Sequence, residues 1–190
     1  MRLIEFGLNF FLGKVMSEFI LKLSNISKSF GGVKVLENVS FGVEKGRRHA
    51  LIGPNGAGKT TLFNVISGIH DPEKGTVFFK GKDLRGIPSR KRIQKGLSRS
   101  FQNIRLMPHL SVLENVMLGQ HSRIDFVDMF KPLDFLSKSS GKAEAIETLN
   151  SFGIDLHKGQ TVSSLPYGIR KKIEVVRALM AKPSLLLLDE

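Results

Sequence analysis

A glycine-rich loop that ends in lysine and threonine is the clearest chemical signal in the chain. It fits the pattern G-x-x-x-x-G-K-[ST] without a gap and comprises Gly53, Pro54, Asn55, Gly56, Ala57, Gly58, Lys59, Thr60 and Thr61. Glycines let the main chain curve closely around a compact polyanion and turn successive N–H groups toward it. Lys59 adds a point charge for the outer phosphates, and the Thr60 hydroxyl can bind Mg²⁺. The loop therefore predicts a nucleoside triphosphate site.

The residues on either side of this loop predict the elements that would hold it. The preceding residues 49–52 (His-Ala-Leu-Ile) predict a short buried strand. Apolar residues after the loop recur at helical spacing, namely Leu62, Val65, Ile66 and Ile69. A strand, loop and helix in this order place the positive end of the helix dipole at the phosphates, which is the context that makes the motif credible.

A second candidate group is a pair of carboxylates behind the apolar run 185–188. Four consecutive leucines predict a strand buried on both faces of a parallel sheet. Such a strand delivers Asp189 and Glu190 to its carboxyl end, where ligands bind in open α/β sheets. Asp189 would hold Mg²⁺, directly or through water, opposite Thr60, and Glu190 would polarise an attacking water. The alternative is a solvated strand end without chemistry.

Periodicity and capping signals predict most of the other elements. Residues 19–26 alternate like an edge strand, and residues 33–43 give two short strand-like runs broken at Glu37-Asn38. Ser111 with Glu114 three residues on forms a capping box at a helix start. A helix over Ala145, Leu149 and Phe152 ends at Gly153. The last helix buries Ile169, Ile173, Val176 and Met180, with the charged residues on its other faces, namely Arg170, Lys171, Lys172, Glu174 and Arg177.

Composition narrows the classes of protein less than the motifs do. The chain has 190 residues, a net charge of +12 and no cysteine, which excludes disulfides and cysteine-ligated metal sites. The basic charge favours either a nucleic-acid or anionic-membrane partner or a solvated basic surface, and we prefer the last. Residues 1–15 are expected to lie upstream of the domain. The alternative is an amphipathic segment lying on a membrane or on a partner.

Together these features resemble the nucleotide-binding subunit of an ABC transporter, over about residues 18–190. The resemblance implies an α/β fold with a P-loop NTPase core of the ABC type. That fold has a mixed or parallel sheet with flanking helices, an N-terminal antiparallel β subdomain and a helical subdomain at about residues 103–165. Residues 16–190 would form the ATP-binding domain, and its cofactors would be ATP and Mg²⁺.

The same resemblance implies roles for individual residues, including two, Phe30 and Gln102, that no spacing argument singles out. Phe30 matches the aromatic residue that stacks on adenine, and Gln102 matches a glutamine that contacts Mg²⁺ and couples to the membrane subunit. Residues 53–61 match the Walker A loop, and residues 185–190 match Walker B with its catalytic carboxylate, Glu190. The family's C-loop, which reaches the ATP of the opposite subunit, is matched by Leu165, Pro166, Tyr167 and Gly168.

Within the family, residues 99–116 and 165–168 resemble the branched-chain amino-acid importers. This similarity implies ATP-powered import of such amino acids or related solutes, at the cytoplasmic face of the cell membrane. The implied partners are integral membrane permease subunits, a second ATPase subunit in a homo- or heterodimer and, indirectly, an external solute-binding protein; no nucleic acid is expected. The alternatives are a non-transport ABC ATPase acting on ribosomes or nucleic acid, and a truncated module that binds ATP without turnover.

Two departures from the family pattern bear on these expectations. In the C-loop, Pro166 replaces a serine whose hydroxyl would reach a γ-phosphate, and Ile169 replaces a glutamine. The family also expects a D-loop and a switch histidine after the catalytic carboxylate. None of the chain's histidines fits that role, namely His49, His70, His109, His121 and His157. The resemblance therefore implies most of an ATPase without the end of its site.

Overall fold

The computed structural model describes residues 19–100, 105–123, 138–155 and 161–189. The chain divides into two compact units, residues 1–89 and 90–190. Within the described ranges, short 3₁₀ segments occupy Leu118–Arg123 and Val162–Ser164. The strands and helices are, in chain order, β1 (Phe19–Phe30), β2 (Val33–Glu44), α1 (Lys59–Ser67), β3 (Lys74–Phe79), β4 (Lys82–Asp83), α2 (Ser89–Gln94), β5 (Leu97–Arg99), α3 (Val112–Met117), α4 (Lys138–Ser151), α5 (Tyr167–Leu179) and β6 (Leu185–Leu187).

The first unit is built on an antiparallel sheet in the order β2-β1-β3-β4. The prediction of an edge strand at residues 19–26 is wrong, because β1 pairs with β2 on one side and with β3 on the other. The alternating side chains indicated a strand, but they do not show how many neighbouring strands its main-chain N–H and C=O groups pair with. Leu21, Leu23 and Ile26 from β1 are almost completely buried and form much of this unit's core.

Strand β2 is one long strand and not the two short runs that the sequence suggested. It pairs with β1 from Val33 to Glu44, but the register shifts several times along the pair. Asn38, at the predicted break, has a positive φ of 52°, a conformation that asparagine tolerates better than most residues. The break signal therefore marks an irregularity within a strand and not the end of one.

The strand predicted immediately before the glycine-rich loop is not formed. Residues 49–52 have no regular secondary structure, and Ile52 is 91% exposed. A buried parallel strand needs paired neighbours, and the pairs within the first unit's sheet are antiparallel and involve only β1 to β4. The apolar run alone was therefore not sufficient evidence for a strand.

Helix α1 agrees with its predicted position after the loop. Leu62, Val65 and Ile66 are buried, which confirms the helical spacing read from the sequence. Gly68 caps the C-terminus with a φ of 76° and bonds through its N–H to the carbonyls of the preceding turn. Ile69, which lies beyond this cap, is 46% exposed and does not belong to the buried face.

The second unit combines a parallel strand pair with a cluster of helices. Strands β5 and β6 pair in parallel from Leu97 with Leu185 to Arg99 with Leu187, as the apolar run predicted. Leu187 is buried, but Leu188 is 56% exposed, so burial on both faces holds only in part. Helices α3, α4 and α5 pack around one hydrophobic core. No described helix is both long and apolar enough to cross a membrane.

The predicted capping box at the start of α3 is confirmed. The Glu114 N–H donates to Ser111 Oγ at 3.3 Å, and the Ser111 N–H donates back to Glu114 Oε2 at 2.8 Å. The Ser111 hydroxyl also donates to Glu114 Oε2 at 2.6 Å. These bonds, chiefly the one from the hydroxyl, lower the pKa of the Glu114 carboxyl below its ordinary value of 4.5. They satisfy N–H groups that have no partner inside the helix.

Removing this cap gives a first testable prediction. We expect Ser111→Ala to lower the free energy of unfolding by about 1 kcal/mol, the usual cost of losing such a cap, measured by urea denaturation. Because the folded pKa of Glu114 is depressed, its share of stability is present above pH 4.5 and is lost as pH falls through the folded value. Glu114→Gln is the control, since an uncharged acceptor has no such pH dependence. If the wild-type chain and Glu114→Gln lost stability equally on acidification, the Glu114 carboxylate would not contribute to the cap.

Candidate functional site

The glycine-rich loop forms a compact turn that leads directly into α1. Gly56 and Gly58 have φ values of 82° and 84°, a region that residues with a side chain rarely adopt. The Ala57 N–H donates to the Pro54 carbonyl at 3.2 Å. Gly58 is the N-cap of α1, and as a glycine it has no side chain that could accept from the first turn's N–H groups. The loop and the helix start therefore present main-chain donors suited to an anion.

Lys59 lies across the beginning of this loop. Its Nζ donates to the Gly53 carbonyl at 2.6 Å and to the Pro54 carbonyl at 2.8 Å. An ammonium group has three donors, so these two bonds fix its position and leave a third donor. The positive charge is thus held at the loop by contacts with the loop's own main chain, while its predicted role at the outer phosphates stays a prediction.

Gly58 is the glycine of this loop that the fold constrains most. A Cβ at this position would lie 2.9 Å from the Val35 carbonyl oxygen and 3.0 Å from a Leu36 methyl group, in addition to its positive φ. Gly46 has a similar φ of 76°, but nothing lies within 4 Å of a Cβ built there. An alanine at position 46 would therefore cause backbone strain alone, whereas an alanine at position 58 would cause both backbone strain and steric overlap.

This difference gives a second prediction. Both Gly46→Ala and Gly58→Ala should lose about 1–2 kcal/mol of folding free energy through left-handed backbone strain. Gly58→Ala should lose about 1–3 kcal/mol more, because its methyl group overlaps β2. Urea denaturation measures both, and nucleotide affinity should fall only in Gly58→Ala. Equal stability of the two variants would show that the overlap at β2 is relieved without cost.

Phe30, the residue matched to adenine stacking, lies at the end of β1 and is 42% exposed. The His70 ring packs edge-on against it, with ring centroids 5.3 Å apart and planes at 68°. The Lys28 ammonium lies 5.4 Å from the Phe30 centroid. An exposed ring bordered by a histidine and a cation is suited to stacking and does not belong to a core. The sequence did not reveal the His70 contact, because the two residues lie far apart along the chain and no local pattern relates them.

Asp189 lies just beyond the end of β6 and makes a buried ion pair. Arg99 Nη2, at the end of the neighbouring strand β5, lies 2.6 Å from Asp189 Oδ2, and both side chains are less than 10% exposed. The Asp189 N–H donates to the Ser100 hydroxyl oxygen at 3.3 Å. Arg99 was not a predicted site residue, because no local pattern relates two residues that are 90 positions apart.

The C-loop candidates form the start of α5. Pro166 is the N-cap, one position before the first helical residue, where proline is common because its missing N–H is not needed. Tyr167 is 60% exposed, and Gly168 is also exposed, with open space around a Cβ built there. Leu165 is half-buried. Pro166, Tyr167 and Gly168 therefore form a solvent-facing helix start that a second molecule could reach.

A charged network inside the second unit was also missed. Glu174 is 2% exposed, not on an outer face as predicted. The Arg105 N–H donates to its Oε1 at 3.4 Å, and Arg177 Nη2 lies 3.6 Å from the same oxygen. Arg177 Nη1 also donates to the Arg105 carbonyl at 2.8 Å. Burial lowers the pKa of the Arg177 guanidinium, and Glu174 partly offsets this. These contacts stabilise Oε1 of the buried carboxylate, whereas its Oε2 has no hydrogen-bond partner among the described residues.

Two predicted site residues, Gln102 and Glu190, lie outside the described residues. Thr60 is exposed at the start of α1. The described parts of the chain contain no group of three or more His, Cys, Asp or Glu side chains that could hold a metal by itself. Oxygen donors are nevertheless the ligands that Mg²⁺ prefers. Asp189 fits this chemistry, since among the described residues only Oδ2 of its two carboxylate oxygens is hydrogen-bonded.

Comparison with protein families and relatives agrees with this geometry. The family model described as ABC transporter matches residues 36–190. The chain is 33% identical over 179 residues to the high-affinity branched-chain amino acid transport ATP-binding protein BraF of Pseudomonas aeruginosa, covering 92% of this chain and 70% of that protein. It is 36% identical over 171 residues to the ribose import ATP-binding protein RbsA of Caldanaerobacter subterraneus, covering 90% of this chain and 33% of that protein.

Solved structures give the same relationship. The chain superposes on a nucleotide-free ATP-binding cassette from an ABC transporter with a TM-score of 0.75 and 31% identity. The match covers 90% of this chain and 69% of that one. The mixed α/β fold with an antiparallel β subdomain, expected from the sequence, is therefore confirmed.

Proposed function

The chain belongs to the ABC transporter family, and from this premise we propose that ATP bound at residues 53–61 powers the import of branched-chain amino acids or related solutes. At the level of the family the chain is an ATP-binding subunit of an importer and an ATPase that uses ATP with Mg²⁺. The identity of the solute, the subunit arrangement and the roles of individual residues are our proposal.

The observation that carries the proposal is the arrangement of Lys59 and the loop. The ammonium is held at the loop by two carbonyls, at 2.6 and 2.8 Å. Gly56 and Gly58 turn the main chain into the N-terminus of α1. A triphosphate placed there meets a fixed charge, main-chain donors and the positive end of a helix dipole together.

In the proposed reaction each residue has a separate task. Lys59 and the loop amides bind the outer phosphates, and Phe30 stacks on adenine. Glu190 accepts the proton of the water that attacks the γ-phosphorus in line, while the β-phosphate leaves with ADP. Mg²⁺, bound by oxygen atoms of Thr60, Gln102 and Asp189, would neutralise charge on the outer phosphates. The Mg²⁺ ligands and the role of Glu190 remain predictions.

The subunit works at the membrane with permease partners, as ATP-binding subunits of ABC importers do. We propose that two ATPase subunits assemble head to tail, so that the start of α5 in one reaches the ATP of the other. Pro166, Tyr167 and Gly168 are exposed there, and the helix dipole and the Gly168 N–H would face the phosphate. A solute-binding protein outside the membrane would deliver the solute to the permease and would not contact this chain.

Two solute classes are supported by different relatives. BraF is named for high-affinity branched-chain amino acid transport, and the match covers 70% of its length. RbsA is named for ribose import and is slightly more identical over the matched residues, but the match covers 33% of its length. We therefore favour the amino acids and keep a sugar as the second candidate. The importer names of these relatives do not favour the ribosome or nucleic-acid alternative.

Uptake in cells separates these candidates. The gene for this protein would be deleted in its native cells, and the deletion strain would be complemented with the wild-type chain or with Lys59→Ala. We expect the wild-type chain, and not the variant, to restore uptake of radiolabelled leucine and valine while ribose uptake stays unchanged in every strain. Restored ribose uptake would instead support the sugar. Normal uptake of both solutes in the deleted strain would exclude both.

A further inference from the structure

Arg99, the last residue of β5, forms an ion pair with Asp189, the predicted Mg²⁺ ligand. We propose that Arg99 is a positioning residue, which holds the Asp189 carboxylate in the orientation that presents its other oxygen to the Mg²⁺ of bound ATP. The proposal rests on the proposed function, because it assumes that Asp189 is a Mg²⁺ ligand. It concerns a pair whose two members both lie in the second unit.

The pairing of β5 with β6 fixes the main-chain positions of Arg99 and Asp189. Arg99 is opposite Leu187 in the parallel ladder of β5 and β6. Beyond this pair, the Ser100 N–H donates to the Leu187 carbonyl at 2.9 Å, and the Asp189 N–H donates to the Ser100 hydroxyl oxygen at 3.3 Å. The main chain on both sides of the ion pair is thus held by hydrogen bonds, so that the remaining freedom of Asp189 is rotation of its side chain.

Arg99 removes that remaining freedom. Its Nη2 atom binds Oδ2 at 2.6 Å, which is short even for a charge-assisted hydrogen bond. With both side chains less than 10% exposed, water competes little for this contact. Within the described residues Oδ1 accepts no hydrogen bond, so the carboxylate is held through one oxygen and keeps the other for a ligand. A guanidinium that gripped both oxygens would leave neither.

A buried arginine next to a metal ligand also has an opposing effect. Its positive charge repels a second cation, which by itself would weaken Mg²⁺ binding. Partners that orient a metal ligand usually have the larger effect, since their removal typically weakens metal binding by about 10- to 100-fold. We therefore expect orientation to outweigh repulsion at Asp189. When Arg99 is neutralised, loss of orientation should weaken Mg²⁺ binding, whereas loss of repulsion should strengthen it.

The test compares Arg99→Gln, Arg99→Lys and the wild-type full chain. Binding of fluorescent ATP is measured first in EDTA and then as Mg²⁺ is titrated. Mg²⁺ should increase the affinity for ATP, and we expect Arg99→Gln to raise the Mg²⁺ concentration that gives half of this increase by about 10-fold or more. The ATP affinity in EDTA should stay within about twofold of wild type. Arg99→Lys keeps a cation beside Oδ2 and should recover most of the loss. A merely structural defect would instead lower ATP affinity in EDTA as well.

Arg85→Gln is the matched control, because Arg85 pairs with Asp83 at 3.4 Å on the exposed surface of the first unit. It should leave the Mg²⁺ requirement unchanged. An unchanged or lower requirement in Arg99→Gln would overturn the positioning role, the lower value showing that Arg99 acts chiefly as a competing cation. If wild-type ATP binding does not respond to Mg²⁺ at all, the proposed metal site fails and this inference fails with it.

Discussion

Replacing Lys59 with alanine is expected to weaken MgATP binding by roughly 150-fold, equivalent to about 3 kcal/mol, a figure set by the loss of charge-assisted hydrogen bonds to the outer phosphates. Turnover at ATP concentrations near the wild-type dissociation constant should disappear with it. Isothermal titration of MgATP into the full chain measures the affinity directly. The expected loss is large because no other lysine or arginine lies within the loop of residues 53–61.

The structure indicates why the effect should be specific to the ligand. The two bonds from Lys59 Nζ go to carbonyls of the loop itself, at Gly53 and Pro54. In the variant these carbonyls lie at an exposed or half-buried surface, where water replaces the lost donor at small cost. We therefore expect the free energy of unfolding to change far less than the nucleotide affinity. A large loss of stability would show that Lys59 mainly supports the loop.

Lys82→Ala is the control for net charge, because Lys82 is an exposed residue of β4 outside the loop. It removes one positive charge, as Lys59→Ala does, and should leave MgATP affinity within about twofold, since salt weakens the effect of exposed charges at physiological ionic strength. Equal losses in Lys59→Ala and Lys82→Ala would mean that the general basic charge binds ATP. Unchanged affinity in Lys59→Ala would remove the loop from the site.

Local signals in the sequence predicted the elements that local chemistry controls. The capping box at Ser111, the glycine after α4 at Gly153 and the buried positions 173, 176 and 180 of the last helical segment depend on residues within a few positions of each other. The glycine-rich loop belongs to the same class, because its conformation follows from Gly56 and Gly58 together with the helix behind them. Such features are readable without knowing what packs against them.

The errors arose where a partner distant in sequence decides the outcome. The apolar residues 49–52 predicted a buried strand, but strand formation depends on neighbours that the sequence does not display. Glu174 was assigned to an outer face because charge normally indicates solvent, whereas inside the unit its Oε1 accepts from the N–H of Arg105, 69 positions away in the sequence. Arg99 and Asp189 are brought together only by the parallel pairing of β5 and β6. The same pairing explains why Arg99 was overlooked.

The second large effect is expected at Glu190, the residue that follows Asp189. Glu190→Gln should lower the rate of ATP hydrolysis by about 10²- to 10⁴-fold, the usual contribution of a positioned general base. The amide keeps the shape of the side chain but cannot accept a proton from water. MgATP affinity should stay within about twofold, because Lys59 and the loop amides carry the binding. Phosphate release under saturating ATP measures turnover, and titration measures affinity.

Glu147→Gln is the control, because Glu147 is an exposed glutamate of α4 and should have no effect on turnover. Asp189, the residue before Glu190, is held by its ion pair with Arg99 and by the hydrogen bond from its own N–H to the Ser100 hydroxyl oxygen. A general base requires such positioning, whereas a loosely attached carboxylate would contribute little. Sustained hydrolysis by Glu190→Gln would therefore assign the proton transfer to another group, while loss of affinity would make Glu190 a binding residue.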